Sequence, residues 1–234
     1  ACYRWIREFD PSRPIHYERA EGNDFTDIVC PMYADLNWCK NYLNNSPKKP
    51  LIQCEYSHAM GNSMGGFKEY WDLIREHPNY QGGFIWDFVD QAMARYEADG
   101  KVSFLYGGDY NNYDATDNSF NCNGIIAADR TPHAHAYEVR RQYQSIWTDT
   151  VDLKAGKVKV YNENFFADLK PYALKWELVQ DGVATKAGRI ESLDVAPQQR
   201  KEFTLGYTEA DFCPNAKEIL LNVSYELKVK QPLL

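Results

Sequence analysis

The chain has 234 residues, of which 44% are hydrophobic and 25% charged, so it can form one large or two ordinary domains around an apolar core. Its formal net charge of -7 argues against a nucleic acid as partner, because the phosphates would be repelled. No apolar run reaches membrane-spanning length and no targeting pattern opens the chain, which leaves a globular protein with a small or neutral partner.

Short apolar runs alternate with helical patterns in the first part of the chain. Four runs bounded by polar, Gly or Pro residues are interpreted as strands, at residues 15–18, 27–31, 51–55 and 83–87. Helices are predicted over 36–43, along the apolar stripe of 67–74, and from Thr131-Pro132 to about Ile146. Strand and helix in alternation predict βα units on a parallel sheet.

The pattern changes after about Thr148. Polar and apolar residues alternate over four segments separated by turns, at 157–162, 172–180, 201–205 and 218–230. Asp181-Gly182, between two such runs, is a hairpin signal. We therefore predict two domains, an α/β domain over residues 1–147 and an all-β antiparallel sandwich over 148–234.

Residue types that carry out enzyme chemistry follow three of the four predicted strands. Tyr33 follows the second strand, Glu55 ends the third with His58 close behind, and Trp86 ends the fourth. Carboxylates, imidazoles and aromatic rings at the C-terminal ends of parallel strands are typical of barrel enzymes. Taken singly, Glu55 is equally consistent with a structural ion pair, and the other three are more often structural.

Five segments of the sequence form a set of specific motifs. They are residues 28–33 (IVCPMY), 54–63 (CEYSHAMGNS), 82–87 (GGFIWD), 122–124 with 129–132 (CNG and DRTP), and 193–197 (LDVAP). In this order they resemble the large bacterial β-galactosidases of glycoside hydrolase family 2, and the resemblance covers essentially the whole chain. It implies the C-terminal half of a (β/α)8 TIM barrel, strands five to eight, followed by an immunoglobulin-like antiparallel β-sandwich.

The resemblance also implies a reaction, the retaining hydrolysis of a terminal β-galactoside such as lactose by double displacement. Glu55 would be the nucleophile, and the Tyr33 phenol would hydrogen-bond its carboxylate. His58 would bind sugar hydroxyls, and Trp86 would form an aromatic wall beside the galactose ring.

Metal ions belong to the same resemblance. The Phe120 carbonyl oxygen and the Asn123 side-chain oxygen would hold a sodium ion, which in turn would receive a sugar hydroxyl. The third sodium ligand and the magnesium ligands of the family are expected upstream of this chain. His133 and His135 look like a pair of metal ligands, but at i, i+2 on a helix their rings diverge, so we interpret them as structural.

The sequence departs from the family in extent. Four strands are predicted before the sandwich, whereas a (β/α)8 barrel has eight. The acid/base Glu, which follows Gly-Asn in the family, is expected upstream, and the tail at 231–234 is expected to stop before the sandwich is complete. We therefore expect a piece of a longer, homo-oligomeric enzyme that is inactive by itself. The cytoplasm is favoured as its location and the periplasm stays open.

Two other interpretations also stay open. Another family-2 activity, β-glucuronidase or β-mannosidase, would use the same nucleophile. A glucuronidase needs a cation for the substrate carboxylate, and no such residue is placed near Glu55, while Phe120 and Asn123 favour a neutral galactoside. The alternative from a different class is a non-catalytic carbohydrate-enzyme module.

Overall fold

The computed structural model describes residues 1–229. The chain folds into two compact units, Ala1–Tyr143 and the residues from Gln144 onward. The end of the last predicted strand, at Lys230, and the tail over 231–234 lie outside the described residues. Within residues 1–229, none of the helices is long and apolar enough to cross a lipid bilayer.

The first unit combines α-helices with short strands. Its helices are α1 (Cys2–Phe9), α2 (Leu36–Asn44), α3 (Phe67–Glu76) and α4 (Ala134–Gln142). Its strands are β1 (Leu51–Tyr56), β2 (Tyr80–Ile85), β3 (Met93–Tyr96) and β4 (Val102–Leu105). β1 and β2 pair in parallel, whereas β3 and β4 form an antiparallel hairpin.

Parallel pairing extends from β1 back to earlier parts of the chain. Isolated parallel bridges, such as that of Val29 with Leu51, stand where the first two strands were predicted. Continuous ladders do not form there, in part because the Asp27 carboxylate accepts the Ile15 N–H at 2.7 Å and so occupies a ladder donor. Over residues 1–229 the parallel segments form an open arrangement and not a closed barrel.

Helices α2 and α3 pack against this sheet. The buried residues of the shared core are Val29, Cys39, Leu43, Leu51, Leu73 and Tyr80. Asp35 is the N-cap residue of α2. Its carboxylate accepts the Trp38 N–H at 2.8 Å, a bond worth about 1 kcal/mol. α3 follows the predicted apolar stripe and buries Phe67. This packing fixes β1 and β2, and with them the side chains at their C-terminal ends.

The predicted start and end of α4 are wrong. The helix begins after His133 and not at Thr131, because the Asp129 carboxylate accepts both the Thr131 N–H (2.9 Å) and its hydroxyl (2.6 Å) in a local turn. The chain leaves the helix at Tyr143, before the predicted end, because Ile146 begins a strand of the second unit.

The second unit is built from antiparallel strands. They are β5 (Ile146–Asp152), β6 (Lys157–Asn162), β7 (Tyr172–Gln180), β8 (Val183–Ile190), β9 (Arg200–Thr204) and β10 (Ile219–Leu227). Their order is β5-β6-β9 in one sheet and β10-β7-β8 in the other. The predicted boundary between the two domains, at residues 147/148, falls inside β5.

Both sheets of this unit contribute to one apolar core. Val158 and Val160 enter it from β6, and Leu174 and Leu178 from β7, all fully buried. The predicted hairpin between β7 and β8 is confirmed. Asp181 and Gly182 at its turn both have positive φ, 46° and 81°, which suits the right-handed twist of the flanking strands.

Candidate active site

A bulge near the end of β1 determines where Glu55 lies. Between the pairs Gln53–Gly83 and Tyr56–Ile85, β1 advances three residues while β2 advances two, which reverses the opposite shift between Leu51–Tyr80 and Gln53–Gly83. Strict alternation would put Glu55 on the face of Gln53, which is fully buried against α2. With the extra residue, Tyr56 takes the next buried position, at 1% exposure, and Glu55 is released to a half-buried one.

Tyr33 lies beside Glu55 because their chain segments run in parallel. The Tyr33 N–H donates to the Glu55 carbonyl oxygen at 2.8 Å. Tyr33 is 42% exposed, and the partial burial of its phenol raises the pKa above its usual range, as do the hydrogen bond and negative charge of Glu55. The phenol therefore keeps its proton at neutral pH and is a donor towards the Glu55 carboxylate.

His58 lies between two aromatic rings. Its imidazole contacts Tyr33 edge-to-face, with ring centroids 6.1 Å apart, and stacks on Phe120 at 5.5 Å. The Ala59 N–H donates to the Trp86 carbonyl oxygen at 2.8 Å and holds the turn in place. The His58 Nε2 atom is buried and has no hydrogen-bond partner among residues 1–229. Such an atom is suited to bind a polar group of a ligand.

Trp86 and Asp87 directly follow β2. The Trp86 indole is partly open, with the residue 37% exposed, so a ring face can be offered to a ligand. Asp87 Oδ2 accepts a hydrogen bond from the Gln91 amide. Its Oδ1 is buried and unpaired within the described chain. The motifs did not single out Asp87 as a ligand-binding residue; its position directly after Trp86 at a strand end was the available signal.

Phe120 and Asn123 belong to the loop that precedes α4. Asn123 is 1% exposed, and its side-chain nitrogen donates to the Phe120 carbonyl oxygen. The Asn123 Oδ1 atom is buried and finds no hydrogen-bond partner in the part of the chain that the structure describes. Oxygen and nitrogen of a carboxamide have nearly the same shape, so rotating this group by 180° would place Oδ1 beside the Phe120 oxygen.

The six residues predicted to form the site are linked by these contacts. Tyr33 contacts Glu55 and His58, His58 stacks on Phe120, and Phe120 bonds to Asn123. Trp86 joins them through the hydrogen bond from Ala59. Their roles in binding and catalysis stay predictions. In residues 1–229 no group of three His, Cys, Asp or Glu side chains is arranged to hold a metal ion.

The histidines near this loop have structural partners. His133 Nε2 lies 2.9 Å from Asp90 Oδ2, and His135 Nε2 lies 3.2 Å from the Gly124 carbonyl oxygen. Both imidazoles are thus engaged by groups of the same unit.

Comparison with protein families divides the chain into two matched regions. Residues 1–148 match the family described as glycosyl hydrolases family 2, TIM barrel domain. Residues 158–234 match the family described as beta-galactosidase, domain 4.

Bacterial proteins named beta-galactosidase are similar to nearly the whole chain. Beta-galactosidase 2 of Enterobacter cloacae is 37% identical over 99% of this chain and 23% of its own length. The beta-galactosidases of Aeromonas hydrophila and Photobacterium profundum are 38% and 39% identical, each over 92% of this chain and 22% of the relative. The chain thus spans less than a quarter of the length of these relatives.

Proposed function

The chain belongs to glycoside hydrolase family 2, and we propose that the protein containing it is a retaining β-galactosidase in which Glu55 is the nucleophile. In this proposal, residues 1–147 form the C-terminal half of the catalytic TIM barrel and the second unit is an immunoglobulin-like sandwich. The observation that carries the proposal is the bulge in β1, which releases Glu55 from the buried face beside a protonated Tyr33.

Retaining hydrolysis divides the work between two carboxyl groups roughly 5–5.5 Å apart. The Glu55 carboxylate attacks the anomeric carbon and forms a covalent glycosyl intermediate. The second group protonates the leaving oxygen and then activates water. We do not assign that second role to Asp90, because the Gly124 N–H and His133 occupy both of its oxygens. We propose, from the resemblance, that the acid/base Glu lies in another part of the protein.

Tyr33 supports the nucleophile in this scheme. A phenol whose pKa is raised by burial and by Glu55 does not lose its proton, so it donates to the carboxylate throughout the working pH range. When the glycosyl intermediate breaks down, negative charge returns to Glu55, and the same donor stabilises it. Tyr33 thereby assists departure of Glu55 from the sugar.

The remaining groups suit a neutral sugar. The buried, unpaired His58 Nε2 is proposed to bind a sugar hydroxyl, and Trp86 to pack against the apolar face of the ring. The carboxylates whose negative charge raises the pKa of Tyr33 are those of Glu55 and Asp87. This negative field would repel the carboxylate of a glucuronide, which favours a neutral galactoside over that alternative.

We propose that the loop carrying Asn123 binds a sodium ion. With the carboxamide rotated, the bond from the Asn123 nitrogen would be lost, and the Asn123 Oδ1 and the Phe120 carbonyl oxygen would be two hard oxygen ligands at a buried side chain. A bound sodium ion would offer a positive charge to a sugar hydroxyl. The resemblance assigns a further sodium ligand and the magnesium ligands to other parts of the protein.

The test of the nucleophile uses the protein at the full length of its relatives. Glu55→Gln exchanges one oxygen for nitrogen, so we expect intact folding and a loss of turnover of roughly a thousandfold or more. Glu69→Gln, an exposed carboxylate on α3, is the matched control and should retain activity. A 2-fluoro-galactoside should label Glu55, as read by peptide mapping. A label on another carboxylate would refute the assignment.

Substrate preference is tested with nitrophenyl glycosides. The galactoside should be turned over faster than the glucuronide, since the proposed site is built for a neutral sugar, and faster than the mannoside, since the similar bacterial proteins are named beta-galactosidase. A preference for the mannoside would keep Glu55 as nucleophile but replace the proposed activity. Absence of turnover of all three by the full-length protein would favour the non-catalytic module.

A further inference from the structure

Two segments that carry the candidate site are joined by a continuous set of hydrogen bonds. They are residues 87–91, after β2, and residues 121–126, before α4. The Asp87 N–H donates to the Asn123 carbonyl oxygen at 2.7 Å, and the Asp87 carbonyl oxygen accepts the Ile125 N–H at 3.0 Å. Further bonds join Ile126 to Phe88 and Asp90, and Gln91 to Asn121, at 2.9–3.1 Å. The position of Asn123 is thus set by its contact with the 87–91 segment.

Gly124 is the point of closest approach between these segments. A Cβ atom at this residue would lie 2.2 Å from the Asp90 nitrogen and 2.5 Å from both the Ile126 oxygen and the Val89 carbonyl carbon. All three are backbone atoms, which cannot rotate away as a side chain can. The backbones therefore touch directly at the residue that follows Asn123.

The Asp90 carboxylate holds this contact from one side. Its Oδ1 accepts the Gly124 N–H at 2.8 Å, and its Oδ2 lies 2.9 Å from His133 Nε2. The Asp90 side chain is only 12% exposed, so its bond to the Gly124 N–H is made largely away from water, whereas the His133 side chain is 39% exposed. The backbone of His133 is positioned as the N-cap residue of α4.

Taking the proposed function as given, we infer that Asp90 and His133 form a positioning pair for the sugar and cation site. His133 orients the Asp90 carboxylate, Asp90 holds the Gly124 backbone, and Gly124 fixes the adjacent Asn123 carboxamide. The same 87–91 segment begins at Asp87, whose buried Oδ1 is unpaired among the described residues. Neither Asp90 nor His133 touches the reacting atoms in this scheme.

A positioning pair differs from an ordinary structural ion pair in the quantities that its loss would change. Loss of the His133 donor should weaken sodium binding and raise the KM for a galactoside, because Asn123 loses its fixed position. It should leave kcat at saturating substrate little changed, because Glu55 and Tyr33 belong to a different pair of segments. A merely structural pair would lower the melting temperature without moving the sodium affinity or KM selectively.

The experiment compares two variants of similar volume in the full-length protein. His133→Met removes the donor, and His133→Gln keeps one. We expect His133→Met to raise the sodium midpoint and the KM by about tenfold to a hundredfold, the range for losing a hydrogen bond to a charged group. His133→Gln should stay within about threefold of the parent. The sodium midpoint is read from melting temperature in sodium against choline chloride, independently of activity.

Arg140→Ala, an exposed residue of α4, is the control and should change neither quantity. Equal sodium midpoints and KM values for the Met, Gln and parent proteins would overturn the inference. If His133→Met does not fold, the sodium midpoint and KM are measured for Asp90→Asn instead. This variant keeps an acceptor for Gly124 but loses the charge facing His133, so both quantities should rise. Labelling of Glu55 by the 2-fluoro-galactoside is run alongside, so failure of the pair is distinguished from failure of the proposed function.

Discussion

Gly124→Ala is expected to be among the most damaging single-methyl changes in the first unit. The added Cβ would lie 2.2–2.5 Å from three backbone atoms of the 87–91 and 121–126 segments, well inside van der Waals contact. Because these atoms belong to the backbone, the segments must separate to admit the methyl group. Separation stretches the bond from the Gly124 N–H to the Asp90 carboxylate and those between Asp87 and its neighbours.

The magnitude follows from two contributions. Overpacking a well-packed site costs typically about 1–3 kcal/mol. Weakening a hydrogen bond to a charged carboxylate adds roughly 1.5–3 kcal/mol. Since relaxation relieves part of each, we expect a destabilisation of about 3 kcal/mol, which lowers the melting temperature of a unit of this size by roughly 6–12 °C.

The assay is thermal unfolding of the chain, combined with hydrogen exchange of peptides covering residues 87–126. Gly124→Ala should lower the melting temperature and speed exchange in these peptides. Gly65→Ala is the matched control, because its Cβ would meet no atom within 4 Å and its φ is not positive, so its effect should stay within about 1 kcal/mol. If the two variants melt together and exchange alike, the close approach at Gly124 does not constrain the site as argued.

Three further predictions concern the metal, the thiols and the chain itself. In the full-length protein, Asn123→Ala should weaken both the sodium dependence and galactoside affinity; a sodium titration with unchanged midpoint and amplitude would refute the role. Burial raises the pKa of Cys30 to about 11, so iodoacetamide should modify it far more slowly at pH 8 than the exposed Cys213. The rate of Cys30 modification should rise about tenfold per pH unit up to that pKa. Equal rates for the two cysteines at pH 8, measured by mass spectrometry, would contradict this. The 234-residue chain alone should show no lactose hydrolysis, because the lack of a general acid lowers the rate by roughly 10²–10⁴-fold. Lactose turnover by this chain that Glu55→Gln abolishes would show that the general acid lies within the 234 residues.

Regular strands and long apolar stripes could be predicted from the sequence because their periods are local properties. α2, α3 and the β7–β8 hairpin are present where their periodicity, capping and turn residues indicated. Predictions failed where a side chain competes with the backbone for hydrogen bonds. Asp27 occupies the Ile15 N–H in place of a ladder, and Asp129 delays the start of α4. The contact of Asp27 with Ile15 joins residues 12 positions apart and depends on the fold, whereas that of Asp129 with Thr131 is a local turn that competes with the predicted cap.

Part of the candidate site could likewise be predicted from the sequence, and part could not. Tyr33, Glu55 and Trp86 could be located at strand ends from the alternation of apolar runs and functional residues. The Asp90–His133 pair could not, because its partners lie 43 positions apart and are joined by the fold of an irregular loop. The unpaired atoms of His58, Asp87 and Asn123 likewise emerge only when burial is known.

The bulge in β1 shows why a strand pattern alone does not determine the position of Glu55, the proposed nucleophile. A period of two along β1 assigns residues 51, 53 and 55 to one face, and Gln53 is fully buried on that face. An ionised Glu55 there would have to leave water unpaired, at a cost of several kcal/mol. The local shift in register after Gln53 removes the conflict, since Tyr56 fills the buried position and the carboxylate is only half-buried. The sequence has a trace of this arrangement, because an aromatic residue directly follows the acid. A bulge therefore allows an apolar strand to end in a charged group without fully burying that group.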